Sequence, residues 1–220
     1  MAISVDTVYQ KVLTFANKEQ RGYITPQQFN LFADHAQKEI FEQYFYDLSQ
    51  LARTSGRSEE YSDIIHNINE KIAIFETTGG GSTLPENLYR LGTVYTDDGP
   101  EIEEVQQNEL IYMNQSRLTE PRPSRRVYVR TGAVTIDVKP YVYPLYTYVK
   151  TPVKPNWSYV VVNQRAMYDS SNKVDFQLHQ AEESELVYRI LALAGIAIQK
   201  PNLTQAAMGM ETAKVQQEKQ

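Results

Sequence analysis

The chain has 220 residues, a formal net charge of -5, and 41% hydrophobic and 22% charged residues, the composition of an ordinary globular protein with one core or two small ones. Its negative charge argues against a protein that wraps nucleic acid with its whole surface, but leaves room for a local basic patch. The absence of cysteine excludes disulfides, thiol catalysis and thiolate metal sites. We find no signal-peptide pattern and no membrane-length apolar run. We therefore expect a protein used in the cytoplasm or carried inside something assembled there.

Three helices are predicted in residues 1–76, which we interpret as an N-terminal helical hairpin or bundle. In the longest, from Thr25 to Ala52, apolar residues recur every three or four positions and so share one face. Thr25 supplies an N-cap oxygen, and Pro26 sits where a helix tolerates proline. A shorter pattern precedes this helix, and a stripe of isoleucines follows it. The apolar positions of the long helix are Phe29, Ala33, Ala36, Ile40, Tyr44, Leu48 and Leu51.

The glycine-rich segment T-T-G-G-G-S-T, residues 77–83, predicts a flexible joint. A triple glycine can also cradle a phosphate, but no lysine follows at P-loop spacing and no strand is predicted before it. We therefore interpret the segment as a hinge between the helical part and the residues that follow.

From Leu84 to Val162 the residues alternate like those of strands, and we predict a strand-rich antiparallel insertion over residues 84–175. Its best hairpin joins Val127–Arg130 to residues 133–139. A third strand is predicted at Leu145–Lys150 and a fourth at Ser158–Val162. A short helix is predicted from Glu103 to Asn114.

Residues 176–200 form the predicted core helix, in which Glu182, Glu183 and Glu185 match the positive end of the helix dipole. The apolar arc that follows is wide enough to be buried almost all round. The polar residues 201–220 gain little by folding on themselves, so we expect an extended C-terminal arm that is ordered only against another protein. The predicted fold class is α+β. The apolar anchors of the arm are Leu203, Met208, Met210 and Val215.

Motifs for catalysis, nucleotide binding and metal binding are missing from the sequence. The three histidines, His35, His66 and His179, fall in separate segments without a second ligand at metal-site spacing. A capping or surface role is expected for His179. We therefore predict a protein that is not an enzyme and that has no catalytic centre, no cofactor and no metal.

The densest basic cluster consists of Arg122, Arg125, Arg126 and Arg130, with Tyr128 among them. Guanidinium groups suit both nucleic acid phosphates and an acidic neighbouring subunit, and the sequence leaves both open. A third interpretation is a solvated hairpin end paired with glutamates. The chain also has sixteen tyrosines, a residue favoured at interfaces.

The order of these parts resembles the head-to-tail adaptor, or connector ring, proteins of short-tailed bacteriophages. The resemblance is carried by L-P-E-N-L-Y-R-L (84–91), G-A-V-T-I-D-V-K-P (132–140), L-Y-T-Y-V-K-T-P (145–152) and F-Q-L-H-Q-A-E-E-S-E-L-V-Y (176–188). The N-terminal V-Y-Q-K-V-L-T-F-A-N-K-E-Q-R-G-Y-I-T-P (8–26) is similar to virion structural proteins of environmental tailed phages.

The resemblance implies a homo-oligomeric ring of twelve copies at the head–tail junction of a virion assembled in the host cytoplasm. The ring docks on the portal protein, lets viral DNA pass through a central channel, and meets the tail or a second neck-ring protein below. No membrane is involved. Carried onto this chain, 202–220 is the portal-embracing arm, and 122–148, with Tyr128, Tyr146 and Tyr148, is a protruding element. The alternative from the residues alone is a monomeric or small-oligomer binding or regulatory module with a helical and a β-rich part.

Overall fold

The computed structural model describes residues 2–17, 24–53, 59–97, 99–132, 134–197 and 201–218. The fold is mixed α+β, as predicted. The chain divides into two compact units. Unit 1 contains Met1–Ile74 and Pro152–Gln220, and unit 2 is the continuous insertion Phe75–Thr151. The insertion is therefore shorter than the predicted 84–175, because the chain returns to unit 1 at Pro152.

Unit 1 is built around a C-terminal helix that is buried on several sides. This helix, α5, packs against α1, α2 and α6, and α2 also packs against α3. Its buried residues include Leu186, Ile190 and Ala194, which confirms the predicted wide apolar arc. The helices of unit 1 are α1 Val5–Asn17, α2 Pro26–Arg53, α3 Glu59–Ala73, α5 Glu183–Ala197 and α6 Pro201–Glu218.

The start and the buried face of α2 agree with the prediction. The backbone N–H of Gln28 donates to Thr25 Oγ1 at 3.3 Å, and the N–H of Thr25 donates to Gln28 Oε1 at 3.1 Å. This reciprocal pair is a capping box, which satisfies two backbone donors at the helix start. The predicted positions from Phe29 to Tyr44 are buried, whereas Leu48 and Leu51 are only partly covered.

The segment after unit 2 is held against α1 and α2 by polar side chains. The buried Gln37 amide donates to the carbonyl of Val153 at 2.8 Å and accepts from the N–H of Gln177 at 3.1 Å. Trp157 donates its indole N–H to Asp6 Oδ1 at 2.9 Å. These bonds satisfy buried or partly buried polar groups of α1 and α2 and fix the irregular segment against both helices.

Unit 2 contains two three-stranded sheets, ordered β1-β6-β2 and β3-β4-β5, with β3 and β4 parallel and the other pairs antiparallel. The short helix α4 packs on the outer side of β4 through Leu110 and Met113. The elements are β1 Glu76–Gly80, β2 Leu88–Tyr95, β3 Glu103–Glu104, α4 Gln107–Met113, β4 Val127–Thr131, β5 Thr135–Lys139 and β6 Leu145–Lys150.

Backbone hydrogen bonds join the two sheets at both edges. On one side Leu84 N–H donates to Val134 O at 2.7 Å, and on the other Ile102 N–H donates to Val94 O at 2.8 Å. These bonds link the segment after β1 to the start of β5, and the end of β2 to the segment before β3. The core of unit 2 consists of Leu84, Val94, Ile102, Tyr128, Ile136, Val138 and Tyr146.

The prediction of a flexible joint at residues 77–83 was wrong. Residues 76–80 form β1, paired in register with β6. The glycines serve close packing, because a Cβ at Gly79 would lie 2.6 Å from Tyr146 Cε2. Glycine weakens a strand unless a side chain approaches the backbone closely, and the sequence does not show such an approach. The glycine run therefore suggested a joint.

The prediction of an extended C-terminal arm was also wrong for the described residues. Pro201–Glu218 form α6, which packs along α5 and buries Ala207. Few apolar residues are needed because charged side chains of α6 reach partners on α5 and on the 3-10 turn before it. Those partners could not be identified before the packing was known.

Candidate interaction surfaces

Two arginines of the predicted basic cluster face each other across a tight turn. The N–H of Arg122 donates to Arg125 O at 3.1 Å, and the N–H of Arg125 donates to Arg122 O at 2.8 Å. Directly opposed residues of such a pair lie on one face, so two like charges are placed side by side. Both residues are exposed. The sequence predicted the cluster but not this turn.

Four arginines at or near this turn have no carboxylate partner in the part of the chain that the structure describes. Among the described residues, no carboxylate oxygen lies within the 4.0 Å ion-pair distance of Arg117, Arg122, Arg125 or Arg126. The Nε of Arg126 is buried without a hydrogen-bond partner there. Arg130 lies exposed on β4. Pairing with glutamates is therefore not seen for Arg122, Arg125 or Arg126 among the described ion pairs. We define Arg117, Arg122, Arg125 and Arg126 as the arginine surface.

Of the three tyrosines predicted beside these arginines, two are buried and one is partly buried. Tyr128 and Tyr146 are buried in the core of unit 2, and Tyr148 packs against that core. The hydroxyl of Tyr128 donates to Glu104 Oε2 at 3.1 Å, and that of Tyr146 to Thr83 O at 3.2 Å. Successive strand residues point to opposite faces, and on β4 both faces are covered, so the sequence did not show that Tyr128 is buried. The prediction of a protruding contact was wrong for Tyr128 and Tyr146.

A hairpin in unit 1 exposes more apolar surface than the predicted tyrosines. It joins β7, Tyr159–Val162, to β8, Arg165–Tyr168. Val160, Val161 and Val162 are 55%, 64% and 51% exposed, and Met167 is 57% exposed. The sequence analysis predicted only the first of these strands. The missed signal was the polar pair Asn163–Gln164 between two short strand-forming segments.

No protein-family model matches the chain, and no curated protein gives a significant match. The function of the protein therefore has to be argued from its own surfaces.

The predicted portal-contact residues lie on α6. Met208 and Met210 are 48% and 49% exposed. The side chains of Leu203 and Val215 are outside the described part of the structure. The helix is docked on its own chain, so any partner would meet its outer face.

A cluster of buried charges connects α6 to the rest of unit 1. Glu182 and Glu185 are 1% and 3% exposed. Lys71 of α3 contacts Glu182 Oε1, and Lys214 of α6 lies 3.5 Å from Glu182 Oε2 and 3.8 Å from Glu185 Oε2. Arg189 pairs with Glu185 and also lies 3.3 Å from Glu211 of α6. We call these six residues the charge cluster.

The two glutamates of the charge cluster have pKa values shifted in opposite directions. Burial acts to raise the pKa of Glu182, but the hydrogen bond and charge of Lys71 and the charge of Lys214 outweigh it, so this pKa is lowered. Burial dominates for Glu185, whose pKa is raised despite Arg189. Each carboxylate is already engaged by cations of the protein. The paired charges therefore fix how the helices pack, which agrees with a structural role for these acids.

Other parts of the described structure offer little chemistry. His179 caps the 3-10 turn Gln180–Glu182 by accepting from the N–H of Ala181 at 3.2 Å, which confirms its predicted capping role. Among the described residues no group of three His, Asp or Glu has the arrangement of a metal site. Within the same residues, no helix is long and apolar enough to span a membrane.

A groove of about 630 Å³ lies between α1 and α5. It bears on the alternative of a binding module, which would favour a concave site lined by tyrosines. Tyr188 is the tyrosine in its lining, and polar side chains such as Asp6, Gln10 and Lys11 supply much of the remainder.

Proposed function

We propose that the chain is a non-enzymatic virion structural protein, a subunit of an oligomeric ring in the head-to-tail connector. The observation that supports this most is the β7–β8 hairpin, which presents four largely exposed apolar side chains on a two-stranded sheet. Exposed apolar clusters of this kind mark surfaces that other proteins cover. The resemblance of the chain to connector rings supplies the class of assembly.

Within such a ring the other surfaces receive specific roles. The outer face of α6, with Met208 and Met210, is proposed to contact the portal protein, and the exposed side chains of unit 2 a tail or second neck-ring protein. The arginine surface is proposed to meet viral DNA non-specifically or an acidic neighbour. A chain of net charge -5 otherwise repels DNA, which allows the DNA to slide through a channel.

The proposal is tested by locating the chain. Virus particles that carry an affinity tag on this protein should show the label at the head–tail junction in electron micrographs. Purified protein mixed with the portal protein from the same genome should form ring-shaped particles on the portal. A label elsewhere, or a chain that stays monomeric beside the portal and binds a small molecule in the α1–α5 groove, would instead support the binding module.

A further inference from the structure

The β7–β8 hairpin has two strand edges left open by the described strands, in addition to its exposed apolar side chains. We propose that hairpins of neighbouring copies pair edge to edge, β7 of one copy with β8 of the next, to make a continuous antiparallel sheet around the ring. This inference rests on the proposed ring function and names the contact that builds it.

The backbone groups on both outer edges of the hairpin are available. Asp169 N–H donates to Ser158 O at 2.9 Å, so that pair is hydrogen-bonded within the hairpin. Antiparallel pairs alternate, which makes Val160–Met167 the next bonded pair. The amides between them, at Tyr159 and Val161 on β7 and at Ala166 and Tyr168 on β8, therefore point away from the hairpin. Among the described strands, none pairs with either edge.

β7 and β8 are short, with four residues each, but they have few of the other features that normally prevent pairing. Soluble proteins protect open strands with charges, prolines or bulges. β7 is Tyr-Val-Val-Val, without charge or proline, and its register with β8 is unbroken. In β8 the charged residue is Arg165, next to the turn. An edge of β-branched residues with free backbone groups is matched by another short apolar strand.

The hairpin is held in shape before any partner arrives. Asn163 and Gln164 have φ values of 50° and 63°, the left-handed pair that a tight two-residue turn requires. At its base, Trp157 stacks on Tyr159 and Tyr168, with ring centroids 5.8 Å and 5.7 Å apart. Little conformational entropy is therefore lost when a strand docks, which favours association.

A second copy of this chain fits both edges at once. If β7 paired with β7 of a twofold-related copy, the β8 edge would stay open in each. If β7 pairs with β8 of the next copy, every edge is used and all hairpins point the same way. Such a head-to-tail contact closes into a ring when its rotation allows. Closure also removes the last unpaired edge.

Two proline substitutions test this contact. Val161→Pro removes an outward N–H of β7, and Ala166→Pro removes an outward N–H of β8. Neither substitution removes a hydrogen bond within the hairpin. In sedimentation velocity over a concentration series, the unmodified chain should self-associate, and each variant alone should associate at least about tenfold more weakly. A 1:1 mixture should form heterodimers and stop there, because each variant retains the edge that the other lacks.

Controls separate edge blocking from misfolding. Trp157 is the only tryptophan of the chain, so its fluorescence reports on the hairpin base. Val161→Lys and Ala166→Lys place a charge on each edge and should reproduce the proline results with the fluorescence unchanged. Gln164→Gly creates an Asn-Gly turn, which suits the hairpin and leaves both edges intact. This variant should associate like the unmodified chain.

Three outcomes would overturn the inference. The first is a loss of association for Val161→Pro but not for Ala166→Pro, which indicates a twofold contact. The second is an unmodified chain that stays monomeric at high concentration and whose hairpin amides are protected from hydrogen exchange only after portal protein is added. In that case a different protein covers the edge. The third is rings on the portal that form normally with both variants. In the second and third cases the ring function stands without this contact, whereas absence of the chain from the head–tail junction removes the ring function itself.

Discussion

Arg189 donates two hydrogen bonds to one carboxylate oxygen of Glu185, from Nε at 2.9 Å and from Nη2 at 2.7 Å. The residues lie one turn apart on α5, and both are buried. A buried pair contributes little net stability, but loss of one partner leaves a charge without compensation. Arg189 also lies 3.3 Å from Glu211 of α6, so the loss of Arg189 would affect the packing of α6 as well.

Arg189→Met should lower the free energy of unfolding by about 3–5 kcal/mol, because Glu185 then remains buried without its main cation. Arg189→Met combined with Glu185→Leu should recover much of this loss. Urea unfolding monitored by circular dichroism gives the free energy of unfolding of the single and the double variant. Lys38→Met is the comparison, since Lys38 and Asp34 form a more exposed pair of the same spacing on α2, and it should cost about 1 kcal/mol or less. Equal losses for Arg189→Met and Lys38→Met would show that burial of the pair is unimportant.

Periodicity predicted the helices of unit 1 because the buried face of α2 and the apolar arc of α5 repeat along the chain itself. It failed where stability comes from distant partners. Lys214 and Glu211 hold α6 through residues on α5 and the turn before it, and no local pattern reveals such pairs. The same limit applies to the candidate surfaces. Sequence located the arginines, but it could not tell that Tyr128 faces inward or that β7 has open edges.

Gly79→Ala should destabilise unit 2 by about 1–3 kcal/mol, because the added methyl group would overlap the ring of Tyr146. A flexible joint at this position would tolerate the change. Thermal unfolding measures the difference. Gly209→Ala is the control: it lies in α6 with nothing within 4 Å of the added carbon, so it should stabilise the helix by up to about 1 kcal/mol. Unchanged stability for Gly79→Ala would argue that β1 is not paired against Tyr146 in solution.

Tyr128 should make the protein less stable at alkaline pH. Burial, the charge of Glu104 and the hydrogen bond to it raise the pKa of Tyr128 above its ordinary value. Above about pH 10 the unfolded chain has lost this proton and the folded chain retains it, so the free energy of unfolding falls by up to about 1.4 kcal/mol per pH unit. Tyr146, whose pKa burial also raises, acts in the same direction.

Denaturant unfolding at several pH values between about 8 and 11 measures this slope for the intact protein and for Tyr128→Phe. The free energy of unfolding of Tyr128→Phe should fall less steeply with pH, because this variant lacks the hydroxyl proton of residue 128. Tyr112→Phe is the control, since it removes the same hydroxyl from a side chain that is 69% exposed. Identical slopes for all three proteins would contradict the proposed contribution of Tyr128.

Arg122→Gln combined with Arg125→Gln should weaken DNA binding without harming the fold. The opposed like charges cost a few tenths of a kcal/mol, so their removal should leave stability unchanged or slightly higher. If both side chains meet phosphates, the dependence of log affinity on log salt should become shallower by about two, measured by fluorescence anisotropy with duplex DNA of arbitrary sequence. Arg90→Gln, an exposed arginine of β2 outside the arginine surface, should change neither quantity. An unaltered DNA affinity together with lost association between copies would assign these arginines to an acidic neighbouring subunit, since a guanidinium fork serves carboxylates as well as phosphates.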